Sequence, residues 1–160
     1  MADETPQTDP AAPADTRPSL ALRAQYVKDL SFENPRAPGS LFALQEPPQM
    51  EVSINLGAQR LEEHVAEIAI HIAVRALADK TTLFLCDLVY AGILELRNIP
   101  VDQLEAAIYV QGAQLVFPFA RRVVADVTRD GGFPGLQLDP VDFYGLYLEQ
   151  RQRANAQQAG

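Results

Sequence analysis

The sequence predicts an α+β fold, a four-stranded antiparallel sheet with two C-terminal helices packed on one face. Three observations predict it. Apolar side chains recur at every second position through most of residues 26–96, the period of a half-buried strand. After Asn98-Ile99-Pro100 the apolar spacing changes to the three-and-four step of a helix. The links from the second run to the third and from the third to the fourth are too short for a parallel crossover, so those strands pair antiparallel.

Taken in order, Tyr26, Lys28, Leu30 and Phe32 alternate with Val27, Asp29, Ser31 and Glu33, and Pro35 and Pro38 end that first strand. From Gln49 to Leu56, Met50, Val52, Ile54 and Leu56 point one way and Gln49, Glu51, Ser53 and Asn55 the other. From Ala66 to Ala76 the even positions are apolar and the odd ones include Glu67, His71 and Arg75. Ala78-Asp79-Lys80-Thr81 reads as a hairpin turn. Residues 82–96 follow, with Phe84, Cys86, Leu88, Tyr90, Leu94 and Leu96 on the even face, which is expected to form the core.

The first helix is written in Leu104, Ala107, Ile108, Leu115, Phe119, Val123 and Val127, with Asp102 and Glu105 as acids for its first turn. Pro118 is expected to kink or split it, and Gly131-Gly132 to stop it. For the second helix Asp139 reads as the N-cap and Pro140 as the first position. Val141, Tyr144 and Leu148 form its apolar stripe, widened by Phe143, Leu146 and Tyr147. From Ala106 to Phe119 the first helix is apolar around most of its girth, more than one sheet can cover, so self-association through it is expected. Residues 1–20, with Pro6, Pro10, Pro13 and Pro18, read as a disordered tail, 21–150 as one domain and 151–160 as a polar tail.

Net charge is −8, from 21 acids against 13 Lys and Arg. That excludes a general nucleic-acid binder and disfavours anionic lipid surfaces. The longest uncharged stretch, Ala106 to Ala120, holds Gln111, Gly112, Gln114 and Pro118 and is shorter than the roughly 20 apolar residues a membrane helix needs, so no membrane insertion is expected. The single cysteine, Cys86, excludes an intramolecular disulfide and fits a reducing, cytoplasmic setting. No metal and no cofactor are expected. His64, Glu67 and His71 have helical spacing, but a strand puts positions 64 and 71 on opposite faces. Gly131 to Gly135 lacks the Gly-Lys-Ser/Thr of a phosphate loop. No nucleophile motif is present, and the chain reads as a binding protein rather than an enzyme.

If even positions face the core, the outer face collects Asp29, Glu33, Glu51, Glu67, Asp87 and Glu95, with Arg75 as the one firm counter-charge and Leu83, Leu85, Val89 and Ile93 among them. Two readings fit: a solvated face, or a docking surface for a basic partner, since like charges gathered on one face cost stability.

Four stretches in order resemble the SecB family of bacterial export chaperones: YVKDLSFENPRAP (Tyr26 to Pro38), FLCDLVYAGIL (Phe84 to Leu94), FPFARRVVADVTRDGGFP (Phe117 to Pro134) and LDPVDFYGLY (Leu138 to Tyr147). The wording is most similar to alphaproteobacterial members. The resemblance implies a homotetramer, a dimer of dimers with helices between two eight-stranded sheets. It implies a holdase that binds unfolded preproteins without ATP and delivers them to the motor SecA. By motif match Asp29, Glu33, Leu85 and Asp87 are the SecA-binding residues. Leu41, Phe42 and Leu44, with Tyr90 and Leu94, are the client-binding groove, and Ile108, Tyr109, Gly112 and Leu115 are the oligomer interface. Gly112 and Ala113 stand where relatives carry a Cys-Pro pair. The alternative is a SecB-like paralogue dedicated to one partner, such as an antitoxin.

Overall fold

Strands β1 (Ser19–Glu33), β2 (Gln49–Glu62), β3 (Val65–Ala78) and β4 (Thr81–Arg97) form one sheet in the order β1-β4-β3-β2, with every neighbouring pair antiparallel. The computed structural model describes residues 11–42 and 46–160. β1 starts at Ser19, well before the run that predicts it and inside the span read as a tail. The turn between β3 and β4 is the two-residue hairpin that the sequence announces: Asp79 and Lys80 both have positive φ, the primed geometry that matches strand twist.

Bulges change which way several side chains face. The β1–β4 register shifts between Leu22 and Ala24 and between Val27 and Asp29. Each extra residue turns the strand phase over. Tyr26 therefore lies opposite Ala91 on the outer face, and the Lys28 amine reaches Glu67 on that same face, 2.7 Å away. Strict alternation had placed both inward. A third shift, beside Leu77, points Thr82 outward, where its hydroxyl accepts from Arg75 Nε, and turns Leu83 into the core. Leu83 is thus not among the outer-face residues, contrary to the alternation.

The even face is covered by α1 (Val101–Ala106), a π-helical stretch (Ala107–Gly112) and α2 (Ala113–Asp130), running end to end. Ile68, Ile70, Ile72, Phe84, Leu88 and Leu94 pack beneath Val116, Ala120 and Val124. The departure from α geometry falls at 107–112, not at Pro118, and α2 runs through Pro118 unbroken. Proline removes the bond to the carbonyl four residues back. Here that carbonyl belongs to Gln114 on the exposed side, where water can take its place. Gly112 lets the helix lie close on the sheet, since a methyl group there would come within 2.5 Å of Leu94 Cδ1.

Helix α3 (Phe143–Gln158) begins later than expected. Asp142 is its N-cap, and its carboxylate accepts from the Gly145 N–H at 3.1 Å; Asp139 and Pro140 lie in the preceding irregular segment. Phe143 and Tyr147 are buried, with Leu146 and Gln150 half-buried beside them, whereas Tyr144 and Leu148 face outward, so the residues expected to widen the stripe are the ones that form it. α3 continues to Gln158, through most of the span read as a tail. Thr128, fully buried, donates to the Val124 carbonyl and accepts from the Leu136 N–H, which ties the segment after α2 back onto it. Gln150 makes a paired contact with edge strand β2, donating to the Leu56 carbonyl at 3.0 Å and accepting from the Leu56 N–H at 2.9 Å.

Candidate functional site

Strand register lays the outer face of the sheet out in rows. Glu33, Leu85, Arg75 and Glu51 stand opposite one another across β1, β4, β3 and β2. The next row is Ser31, Asp87, Ala73 and Ser53, and the one after it Asp29, Val89, His71 and Asn55. Asp29, Glu33, Leu85 and Asp87, separated in sequence, are thereby brought together on two adjacent strands. Leu85 is 38% exposed, a large apolar side chain on an open face ringed by carboxylates.

The carboxylates of this face divide into two groups. At the end nearest the β2–β3 turn, Glu95 is held by Arg23 at 2.6 Å and by Arg97. Glu67, only 7% exposed, takes hydrogen bonds from Lys28, Tyr26 and Gln59. The Arg97 and Arg23 guanidiniums hold the Glu95 carboxyl below the usual range. Lys28 and then Tyr26 do the same for Glu67, and in return Glu67 pushes the Tyr26 hydroxyl up to about 12. At the other end Asp87 contacts His71 at 2.8 Å, while Asp29, Glu33 and Glu51 make no ion pair or side-chain hydrogen bond among the described residues. Arg75 is therefore not the only counter-charge on the face. Arg23, Lys28 and Arg97 are added by the bulges and the strand ends, and local spacing alone could not show them.

A lowered folded pKa means that Glu67 contributes stability that is present above its usual value of 4.5 and lost as pH falls through the lowered one. Glu67→Gln should therefore cost about 1–3 kcal/mol at pH 7, from a nearly buried charged hydrogen-bond set left unmatched. The difference from wild type should shrink toward pH 3. Urea unfolding at the two pH values measures it, and equal differences at both would contradict the assignment.

The helix-side face is not fully covered at either edge. Val27 and Leu30 on β1, and Met50 and Val52 on β2, are exposed apolar residues there. The segment between β1 and β2 crosses from one edge of the sheet to the other. It is pinned at its start: Asn34 donates to the Gly131 carbonyl, Ser40 donates to Asn34, and Leu41 packs over Gly132. Phe42 then stands 83% exposed. Leu41 and Phe42 are thus placed at a surface, and Leu44 lies outside the described residues. Tyr90 and Leu94 are not at that surface; both are buried on β4 beneath the helices.

Of the four residues expected at an oligomer interface, Ile108 and Gly112 face this chain's own sheet. Tyr109 stacks on Tyr147 with ring centroids 5.4 Å apart, and Leu115 points outward. Leu115 and Phe119 on α2, and Tyr144 and Leu148 on α3, form two exposed i,i+4 apolar pairs. His64 lies in the β2–β3 turn and His71 on the outer face of β3, about 20 Å along the strand, so their sequence spacing does not make a shared site. No helix among the described residues is long and apolar enough to cross a membrane.

Residues 13–154 match the family model described as preprotein translocase subunit SecB. The chain belongs to the SecB family. A protein of Sphingopyxis alaskensis named protein-export protein SecB is 45% identical over 166 residues, covering 100% of this chain and 95% of that one. The protein of the same name from Erythrobacter litoralis is 46% identical over 154 residues, covering 94% of this chain and 86% of its own. Among solved structures, a SecB-like chaperone of Mycobacterium tuberculosis bound to an antitoxin peptide superposes with a TM-score of 0.65 at 15% identity, covering 76% of this chain and 90% of that one. At that identity it shows a shared SecB-type fold and nothing further. The antiparallel sheet with helices on one face is the architecture that the resemblance implied.

Proposed function

We propose that this protein is a protein-export chaperone that holds preproteins in an unfolded, translocation-competent state and passes them to the motor SecA. The observation that carries this reading is the SecB match over residues 13–154 together with relatives named for protein export. The surfaces support it physically. An unfolded chain offers apolar side chains and unpaired backbone groups. The β2 edge offers the complement, with Met50 and Val52 uncovered and a backbone edge that the Gln150 carboxamide engages at Leu56. Phe42 and Leu41 lie on the crossing segment that leads to that strand. Clients would be held by many modest contacts along an extended chain, which suits broad recognition.

The outer sheet face supplies a separate surface. Asp29, Glu33 and Asp87 around exposed Leu85 suit a basic partner with an apolar contact, the role that the motif match gives to SecA. The pairs Leu115–Phe119 and Tyr144–Leu148 on the outer side of the helices suit burial against further copies of this chain in a tetramer.

Size-exclusion chromatography with light scattering tests the reading. The protein alone should elute with a mass near four times 17.6 kDa. It should form a stable complex with a urea-unfolded precursor and none with the same precursor folded. A tetramer indifferent to unfolded chains would move the function to a dedicated partner, and a monomer indifferent to them would overturn both assembly and role.

A further inference from the structure

The outer face carries a trench that no single strand reveals. Its middle row is built of small side chains, Ser31, Ala73 and Ser53, interrupted by Asp87. With the row Glu33, Leu85, Arg75 and Glu51 along one side, it lines an open depression of about 460 Å³ reaching from Glu33 on β1 to Glu51 on β2. Beside it, Arg75 Nε donates to Thr82 and the His71 ring contacts Asp87. Glu33 and Glu51, at the two ends, have no partner among the described residues.

We propose that this trench seats an extended basic segment lying across the strands, with Glu51 on β2 as its second anchor. The proposal rests on the reading of this face as the docking surface for a basic partner, and extends it from β1 and β4 to the far edge of the sheet. Three interstrand spacings of about 4.8 Å separate Glu33 from Glu51, about 14 Å in all. An extended chain covers that in about four residues. Its side chains at alternate positions point to one side. The recognised pattern is therefore a basic residue, an apolar residue two positions on, and a second basic residue two beyond that. The apolar side chain falls near Leu85, and the two cations fall at Glu33 and at Glu51.

Two fluorescein-labelled peptides of one composition test this by anisotropy with the full-length protein. One carries Arg-Gly-Leu-Gly-Arg, and the other has its arginines adjacent, Arg-Arg-Gly-Leu-Gly. The spaced peptide should bind more tightly, and Glu51→Gln should weaken it about fivefold, the size of one exposed charge pair, while leaving the adjacent-arginine peptide unchanged. If Asp29→Ala with Glu33→Ala weakens both peptides and Glu51→Gln weakens neither, the face docks basic chains but the trench is not their seat, and the proposal fails. If neither variant changes either peptide, the docking reading fails with it.

Discussion

Phe84→Ala should lower the unfolding free energy by about 3–5 kcal/mol, the range for deleting a fully buried aromatic side chain. Phe84 has no exposed surface and stands between Phe32, at 5.5 Å, and Phe133, at 4.8 Å. It thus joins three parts of the fold: the end of β1, the middle of the sheet and the segment after α2. Collapse around the vacancy is limited, because Phe32 is also held against Gly131 and Phe133 follows a helix stop. The damage should spread to the outer face, since Phe32 is the immediate neighbour of Glu33. Urea unfolding at fixed protein concentration measures the loss, concentration being held because association contributes to apparent stability. A loss below about 1 kcal/mol would mean that the three rings do not form the joint described.

Asp29→Ala combined with Glu33→Ala should weaken SecA binding at least tenfold while leaving retention of an unfolded client unchanged. Both carboxylates lie in the half of the outer face where Asp29, Glu33 and Glu51 make no ion pair among the described residues, so they are free to meet a basic partner. The client surfaces proposed above lie at the sheet edges and on the crossing segment, not on this face. The effect should be larger at low salt, because exposed charges are screened within about 10 Å at 0.1 M. Glu95→Gln removes one carboxylate charge from the compensated half, between Arg23 and Arg97, and should change SecA affinity little. Calorimetry with all three proteins separates a local docking site from a general effect of net charge. Equal affinities for the wild type and the double variant would overturn the assignment of this face.

The strands were legible because burial on one side enforces a period of two, and β3 shows it without interruption from Ala66 to Ala76. What alternation cannot show is a bulge. Lys28 and Leu83 look regular in sequence, yet the phase turns at both, which moves Tyr26 outward and Leu83 inward. The start of β1 did leave a signal, the alternation of Leu20 and Leu22 with Ser19 and Ala21, which the run of prolines before it obscured. Pro118 was a sound reason to expect a break, but its cost depends on whether the lost carbonyl can reach water. The two aspartates before α3 were equivalent in type, and only the Gly145 contact distinguishes Asp142. The acidic set on β1 and β4 was legible from motifs. The cations that neutralise half of the face were not, because Arg23, Lys28 and Arg97 meet their partners only through cross-strand register. The burial of Tyr90 and Leu94 likewise depends on where the helices lie.

Cys86, buried on the inner side of β4 directly before Asp87, has a thiol pushed up to about 11 by burial and then by the Asp87 charge. At neutral pH the reactive thiolate is then a small minority, and the side chain is buried in the core. A protein that holds unfolded chains meets cysteines that have not yet reached their final pairing. With its own sulfur shut away, it can hold such a chain without forming a mixed disulfide, and the client leaves with its thiols in the redox state in which they arrived.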